Sequence, residues 1–281
     1  MKISVLTPSY NSVLYIRKAI DSVLAQNFSD FEHIVVDGGS TDGTIEILKQ
    51  YPHLRWISEP DKGQSDAMNK AFNLCKGDIV VYLNADDWFE HETFDEVIAL
   101  FEQNKNADVI VGNLYIRKMD TVLTRLVVSE YKFRKIVLPF RYEFPYNPVS
   151  YFYKRAVQER VGDFPLDEHY SMDYWFLLRA FHTALIIKSG KVFGTFFNTG
   201  GNKTNLHKAD TIKIAKIFVK QVEVKSYIYF WFYYILNIIS KPAVSLIDLI
   251  KYLAAICITF RYIPLNEYKR KGFKACLHQN L

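Results

Sequence analysis

Along the first 115 residues the hydrophobic positions switch repeatedly between two periods. Short apolar runs (KISVLT, FEHIVVD, LRWISE, DIVVYLN and ADVIVGN) are rich in β-branched residues and bounded by Asp, Gly, Pro or Asn. Such runs predict strands buried by helices on both faces of a sheet. Between them, apolar residues recur three or four apart. Leu14, Ile16, Ile20, Val23 and Leu24 predict a helix capped by Asn11 or Ser12 and running through Gln26. The segments DGTIEILKQ, GQSDAMNKAFNLCKG and HETFDEVIALFEQN continue the series, and acids open the last one, as a helix N-terminus favours. Strand and helix in alternation predict right-handed crossovers and a mainly parallel α/β sheet flanked by helices.

In such sheets ligands bind outside the carboxyl ends of the strands. The polar clusters fall there: TPSYN after the first strand, DGGSTDG after the second, EPDKGQSD after the third and NADD after the fourth. Four clusters on one edge predict a site. Residues 119–200 are less regular, with Pro-rich turns (LPFRYEFPYNPVS) and helical runs at 153–160 and 171–183. They are expected to lean over that edge and complete a cleft.

The paired acids Asp86 and Asp87 close an apolar strand. Adjacent carboxylates repel unless a cation or a donor lies between them. A hard divalent ion, Mg²⁺ or Mn²⁺, takes one or two carboxylates and completes its shell with phosphates and water. The alternative is that one Asp caps the next loop while the other is solvated. Asp37 ends the second strand, and Gly38 and Gly39 let the backbone turn and approach a ligand. A carboxylate there suits a nucleobase N–H or a ribose hydroxyl, or else an Asx-type turn. The cluster is neither G-x-G-x-x-G nor a P-loop, which disfavours a dinucleotide fold and a P-loop nucleotidase.

TPSYN, VVDGGSTDGT, EPDKGQSDAMNKAF and YLNADDWF, in that order, resemble the nucleotide-sugar domain of family 2 glycosyltransferases, which have the GT-A fold, a Rossmann-like α/β architecture. The resemblance covers residues 2–115 and fades beyond. It implies that Thr7, Pro8, Tyr10 and Asn11 line a nucleoside pocket, that Asp37 bonds the base and Gly38 lies beside it, and that Asp61 frames the nucleotide. The family's DxD falls on Asn84-Ala85-Asp86, which puts Asn84 and Ala85 at the nucleotide; Asn84 is an uncharged departure at the first position that can still bond a ribose hydroxyl. Asp86 is then the metal ligand and Asp87 a support or second ligand, for Mn²⁺ or Mg²⁺.

An inverting transfer is a single displacement and needs a base for the acceptor hydroxyl. Asp163, Asp167, Glu168 and Asp173 in VGDFPLDEHYSMDYWFLLR are the candidates. The family's frame of a Gly-x-Phe turn, an acid opening a helix and a later Arg fits Gly162, Phe164 and Arg179, and selects Asp173. Met172 and Trp175 stand where the family often has acids. Helix-dipole stabilisation alone would also favour an acid at Asp173. Trp175 suits either a sugar face or a core. Residues 198–205 (NTGGNKTN) could close over a diphosphate or form a plain loop. No Gln-x-x-Arg-Trp is present, so one sugar per encounter is expected.

Charge divides the chain. Residues 1–202 carry 22 Lys and Arg against 26 Asp and Glu, net −4; residues 203–281 carry 13 against 4, net +9. In the basic part, SYIYFWFYYILNIIS (226–240) has no charge and is flanked by Lys225 and Lys241, and PAVSLIDLIKYLAAICITF follows. Aromatics between flanking lysines suit a membrane interface. The expectation is a helical tail, 206–281, lying on the inner face of the cell membrane and drawn to anionic lipid. The alternatives are a helical subdomain packed on the core or on a partner, and a transmembrane hairpin, which would carry Asp248 and Lys251 into the hydrocarbon. Contiguous uncharged aromatics argue against nucleic acid. Cys75, Cys257 and Cys276 form no metal-ligand or disulfide framework, which fits a reducing compartment. MKISVLTPSYN lacks the apolar core of a signal peptide, so a cytoplasmic protein is expected.

Three segments follow: 1–118 for the nucleotide sugar, 119–205 for the acceptor and base, and 206–281 for the membrane. The resemblance implies a glycosyltransferase moving a single sugar, UDP-linked, to a glycan or lipid-linked acceptor in surface-polysaccharide biosynthesis. The rival is a catalytically inactive, membrane-bound scaffold of the same fold. A nucleotidylyltransferase is excluded, because TPSYNSVLYIR offers no glycine after the first strand.

Overall fold

A computed structural model describes residues 1–118, 121, 124–126, 147–167 and 172–200 of the chain. The chain divides into two compact units, residues 1–131 with 143–207 and residues 132–142 with 208–281. The predicted helical tail and the loop beyond Gly200 lie outside the described residues.

The four predicted N-terminal strands form. They are β1 (Ile3–Ser9), β2 (Phe31–Asp37), β3 (Leu54–Ser58) and β4 (Ile79–Tyr82). They pair in parallel in the order β3-β2-β1-β4. Three helices connect them: α1 (Ile16–Leu24), α2 (Thr44–Leu48) and α3 (Gln64–Leu74). The chain then adds β5 (Trp88–Phe89), α4 (Thr93–Gln103), β6 (Val109–Lys118), β7 (Thr124–Leu126), β8 (Tyr151–Lys154), α5 (Arg155–Val161), α6 (Met172–Thr183) and β9 (Ile186–Asn198). One sheet runs β3-β2-β1-β4-β8-β6-β9-β5, with β7 on β6.

Past β4 the sheet becomes mixed. β8 is antiparallel to both β4 and β6, β6 and β9 run parallel, and β5 returns antiparallel to β9. Parallel pairing therefore dominates the N-terminal half only. The second half is also more regular than its sequence suggests, because β8 and β9 join the same sheet. Serine, glycine and lysine interrupt β9 (IIKSGKVFGTFFN), and its register with β6 shifts around Asn113. A broken period-2 pattern is difficult to read as a strand.

Helices cover both faces. Ala19 and Val23 of α1 pack with Phe94, Val97 and Phe101 of α4 on Ile3, Val5, Ile79 and Val81. Ile16 and Ile20 join Leu48 of α2 over Val35. On the other face, the Tyr82 hydroxyl donates to the Met68 carbonyl of α3 at 3.1 Å. The ring of Phe176 in α6 lies 5.1 Å from that of Tyr153 in β8. The connections through α1 and α2 and the return through α3 thus use opposite faces. The strand order reverses between β1 and β4, which opens a crevice at their carboxyl ends.

Helix α1 starts later than predicted. Asn11 adopts a left-handed φ of 46°, and Ser12 accepts the Tyr15 and Ile16 N–H groups through its carbonyl rather than its side chain.

Candidate active site

Three loops at the carboxyl edge are stitched together by side chains. Asp37 is fully buried, and its Oδ2 accepts hydrogen bonds from Gly39 N–H at 3.0 Å, Ser40 N–H at 2.8 Å and Ser58 Oγ at 2.8 Å. Gly39 makes this turn possible at a φ of 83°. Ser40 Oγ accepts Asn11 N–H at 2.7 Å, and Asn11 Oδ1 accepts Thr41 N–H at 3.0 Å. A Cβ built on Gly38 would lie 2.7 Å from Asp61 Oδ2. Gly38 is therefore small because the Asp61 carboxylate rests on it, and Asp61 Oδ1 accepts Gly63 N–H at 2.7 Å.

The TPSYN residues divide between core and edge. Tyr10 is 65% exposed and Asn11 is exposed. Pro8 and Thr7 are buried, and the Thr7 hydroxyl is committed to His33 Nε2 at 2.9 Å. Of the four predicted pocket residues, Tyr10 and Asn11 alone present exposed side chains. Ser9 Oγ, at the end of β1, is buried with no partner among the described residues, and sequence reasoning passed over it.

The two adjacent acids have different environments. Asp87 is fully buried. It accepts Asn84 Nδ2–H at 2.9 Å, Asn147 Nδ2–H at 2.7 Å and Phe197 N–H at 2.9 Å. Asp86 is half-buried. Burial pushes both carboxyls above the ordinary carboxylate range, and for Asp87 the neighbouring Asp86 charge adds to it, while its three N–H donors act the other way. With most of its lone pairs in use, Asp87 fits the supporting role rather than that of second ligand. Asn84, the uncharged departure, accepts Gln64 Nε2–H at 3.1 Å while donating to Asp87. Ala85 is buried behind them.

Among the described residues no three His, Cys, Asp or Glu side chains converge to hold a metal. One half-buried carboxylate with an acid behind it fits a hard divalent ion that takes most of its ligands from phosphate and water. Asn147 and the Phe197 amide complete this corner. Asn147 lay unremarked in a Pro-rich stretch, and a backbone N–H leaves no trace in sequence.

Asp173 lies in the first turn of α6, half-buried. Its charge, after burial, raises the pKa of the buried phenol of Tyr151 on β8. Asp163 and Asp167 are exposed on the preceding turn, and Glu168 falls outside the described residues. Trp175 carries the Arg179 guanidinium on its ring at 4.3 Å, so one ring face is occupied. Of the 198–205 loop, the described part ends with Gly200 N–H donating to Asn198 Oδ1.

Comparison with known proteins bears on the fold and the family. An uncharacterized glycosyltransferase of Nostoc sp. is 31% identical over 179 residues, 59% of this chain and 54% of its own length. The glycosyltransferase GlyA of Streptococcus pneumoniae is 36% identical over 120 residues, 41% of this chain and 17% of its own. The chain therefore spans about half of the first relative and less of the second. A PGL/p-HBAD biosynthesis glycosyltransferase of Mycobacterium bovis is 28% identical over 215 residues, covering 72% of this chain and 78% of its own.

Among solved structures, S. aureus TarS (residues 1–349) in complex with UDP-GlcNAc superposes with a TM-score of 0.72 at 19% identity, over 94% of this chain and 82% of that one. A Pyrobaculum calidifontis mannosyltransferase in complex with GDP-Man and Mn²⁺ gives 0.53 at 17% identity, over 98% and 77%. At such identities the structural likeness establishes the fold, a GT-A-like one. The family description "Glycosyl transferase family 2" matches residues 4–162, more than half of the sequence. By motif order, sheet topology and that match, the chain belongs to glycosyl transferase family 2.

Proposed function

We propose that this glycosyltransferase moves a single sugar, with inversion, from a UDP-linked donor to a glycan or lipid-linked acceptor, with Mn²⁺ or Mg²⁺ bound at Asp86. The observation that carries this reading is the corner at the β1/β4 switch point. There Asp87, next to Asp86 in the chain, is held by three N–H donors at the same carboxyl edge of the sheet as the Tyr10, Asp37 and Asp61 loops.

In this reading Tyr10 and Asn11 receive the nucleoside, the Asp37 turn presents its edge to the base, and Asp61 frames the ribose side. Asp86 would hold the divalent ion, which when bound would supply electrostatic stabilisation to the departing diphosphate. Asp173 accepts the proton of the acceptor hydroxyl as its oxygen bonds to the anomeric carbon and the bond to the diphosphate oxygen breaks. The structures of relatives with UDP-GlcNAc and with GDP-Man and Mn²⁺ support a nucleotide-sugar donor and a metal. The basic aromatic tail, outside the described residues, would hold the enzyme at anionic lipid on the inner membrane face, a setting suited to surface-polysaccharide assembly.

Calorimetry with UDP, with and without Mn²⁺, tests the donor site, and a hydrolysis screen over UDP-glucose, UDP-GlcNAc and GDP-mannose identifies the donor. Metal-dependent UDP binding is expected. Its absence, with no donor hydrolysed, would favour the inactive scaffold, a reading suggested by the neutral Asn84. Asp173→Asn is expected to lower transfer by at least about 100-fold while UDP affinity stays within twofold. Collapse of UDP binding in that variant would remove Asp173 from the role of base.

A further inference from the structure

Helix α3 reaches both sides of the site. From its first residue, Gln64 Nε2 donates to Asn84 Oδ1 at 3.1 Å, and Asn84 Nδ2 donates in turn to Asp87 at 2.9 Å. From the next, Ser65 Oγ donates to Met172 Sδ at 2.9 Å, and Met172 immediately precedes Asp173. One turn later Asn69, 8% exposed, meets Phe164 twice. Its Nδ2 donates to the Phe164 carbonyl at 2.9 Å, and its Oδ1 accepts the Phe164 N–H at 2.8 Å. The Phe164 ring stacks on Phe176 of α6 at 5.1 Å and 27°, and meets Tyr82 edge-on at 5.5 Å.

This contact is specific in its chemistry. Phe164 is buried, and a residue in the interior must satisfy both its N–H and its carbonyl. A primary amide supplies one acceptor and one donor together, which a carboxylate or an apolar side chain does not. The partners lie 95 residues apart in sequence, so the pair is a tertiary latch and not a local cap.

We infer that Asn69 is a positioning residue for Asp173. Through the Phe164 backbone it holds the turn at 162–165, and through the Phe164–Phe176 stack it holds the first turns of α6. The inference rests on the reading of Asp173 as the base. Reacting groups need placement to within about 0.5 Å, and a displacement of about 1 Å can cost about 100-fold in rate. Loosening this latch should therefore act on turnover and spare the donor pocket.

The test compares Asn69→Asp, which keeps the size and loses the donor, with Phe101→Leu, a core change on the buried face of α4 that serves as a stability control. UDP affinity with Mn²⁺, turnover of the donor chosen by the hydrolysis screen, and hydrogen exchange of the α6 amides are measured for each. Asn69→Asp is expected to keep UDP affinity and donor KM within twofold, lose at least tenfold in kcat and exchange faster in α6, with β1 and β4 unchanged. A kcat no lower than that of the control, or unchanged α6 exchange, overturns the inference. Should the wild-type chain use no nucleotide sugar, the transfer reading fails by itself, and the exchange arm still decides whether Asn69 holds α6. Asn69→Ser, smaller and uncharged, carries the same expectations where Asn69→Asp does not fold.

Discussion

Asp86 and Asp87 are neighbours in sequence and opposites in environment, and substitution should separate them. In Asp87→Asn, an amide N–H₂ would face side-chain and backbone donors that now point at a carboxylate. Each buried group left unsatisfied costs about 1–3 kcal/mol, so the urea midpoint should fall clearly. In Asp86→Asn the midpoint should hold or rise, because burial already disfavours that charge, while Mn²⁺-dependent UDP binding is lost. Equal losses of stability in the two variants would contradict the division into ligand and support. Gly38→Ala makes a second contrast. Gly38 has no left-handed φ, and the three atoms nearest an added Cβ belong to the carboxyl end of Asp61, the first at 2.7 Å. Folding should change by less than about 1 kcal/mol, and UDP affinity should drop as Asp61 is displaced. Unchanged affinity would detach Asp61 from the nucleotide. Asp37 was legible as a candidate from its place beside two glycines at a strand end, with an Asx-type turn as the alternative. Its Oδ2 does accept the Gly39 and Ser40 N–H groups of such a turn. Asp61 was legible through the family resemblance alone. The burial of Thr7 was not legible, since a threonine in a strand reads the same whichever way it faces.

At the level of elements, the β1–β2 pair carries a buried titratable contact. His33 of β2 is wholly buried against Thr7 of β1, 6.2 Å from the His53 ring. Burial, and then His53, lower its pKa from 6.5 to about 3. The folded chain thus keeps His33 neutral where the unfolded chain protonates it. Between those two values the unfolded state binds the extra proton, so stability falls as pH drops through that window, by at most about 1.4 kcal/mol per pH unit for this residue. Urea melts at pH 7.5, 6 and 5 should show a steeper loss in wild type than in His33→Asn, and parallel slopes would remove His33 as the source. Helices α1 to α4 and strands β1 to β4 were legible because each holds one hydrophobic period over its length. Strands β8 and β9 were not. The first is four residues long, and the second is interrupted by Ser189-Gly190-Lys191 and held by its neighbours. Gly194 shows that dependence. A Cβ there would collide with Val149 and lie 2.7 Å from the Trp88 carbonyl, a close approach that exists only once β5 and β9 have met.

For the molecule as a whole, the split between an acidic first part and a basic, aromatic tail predicts a soluble catalytic unit with a membrane-directed extension. No helix among the described residues is long and apolar enough to cross a membrane; residues 226–281, outside the described residues, are the proposed source of attachment. Deleting them should shift the protein from sedimenting with anionic vesicles to remaining in the supernatant, with UDP affinity retained. Continued sedimentation would reject the tail as anchor. The sequence by itself determined the alternation of strand and helix, the edge on which the polar loops gather, and the acids worth testing. Those features depend on residues near one another along the chain, where propensity, spacing and turn chemistry act. The tertiary structure alone decided which acid of the pair is enclosed by donors, which TPSYN side chains face the core, and that α3 binds the turn ahead of Asp173. Each of those depends on contacts between segments some 25 to 110 residues apart, which a one-dimensional pattern does not encode.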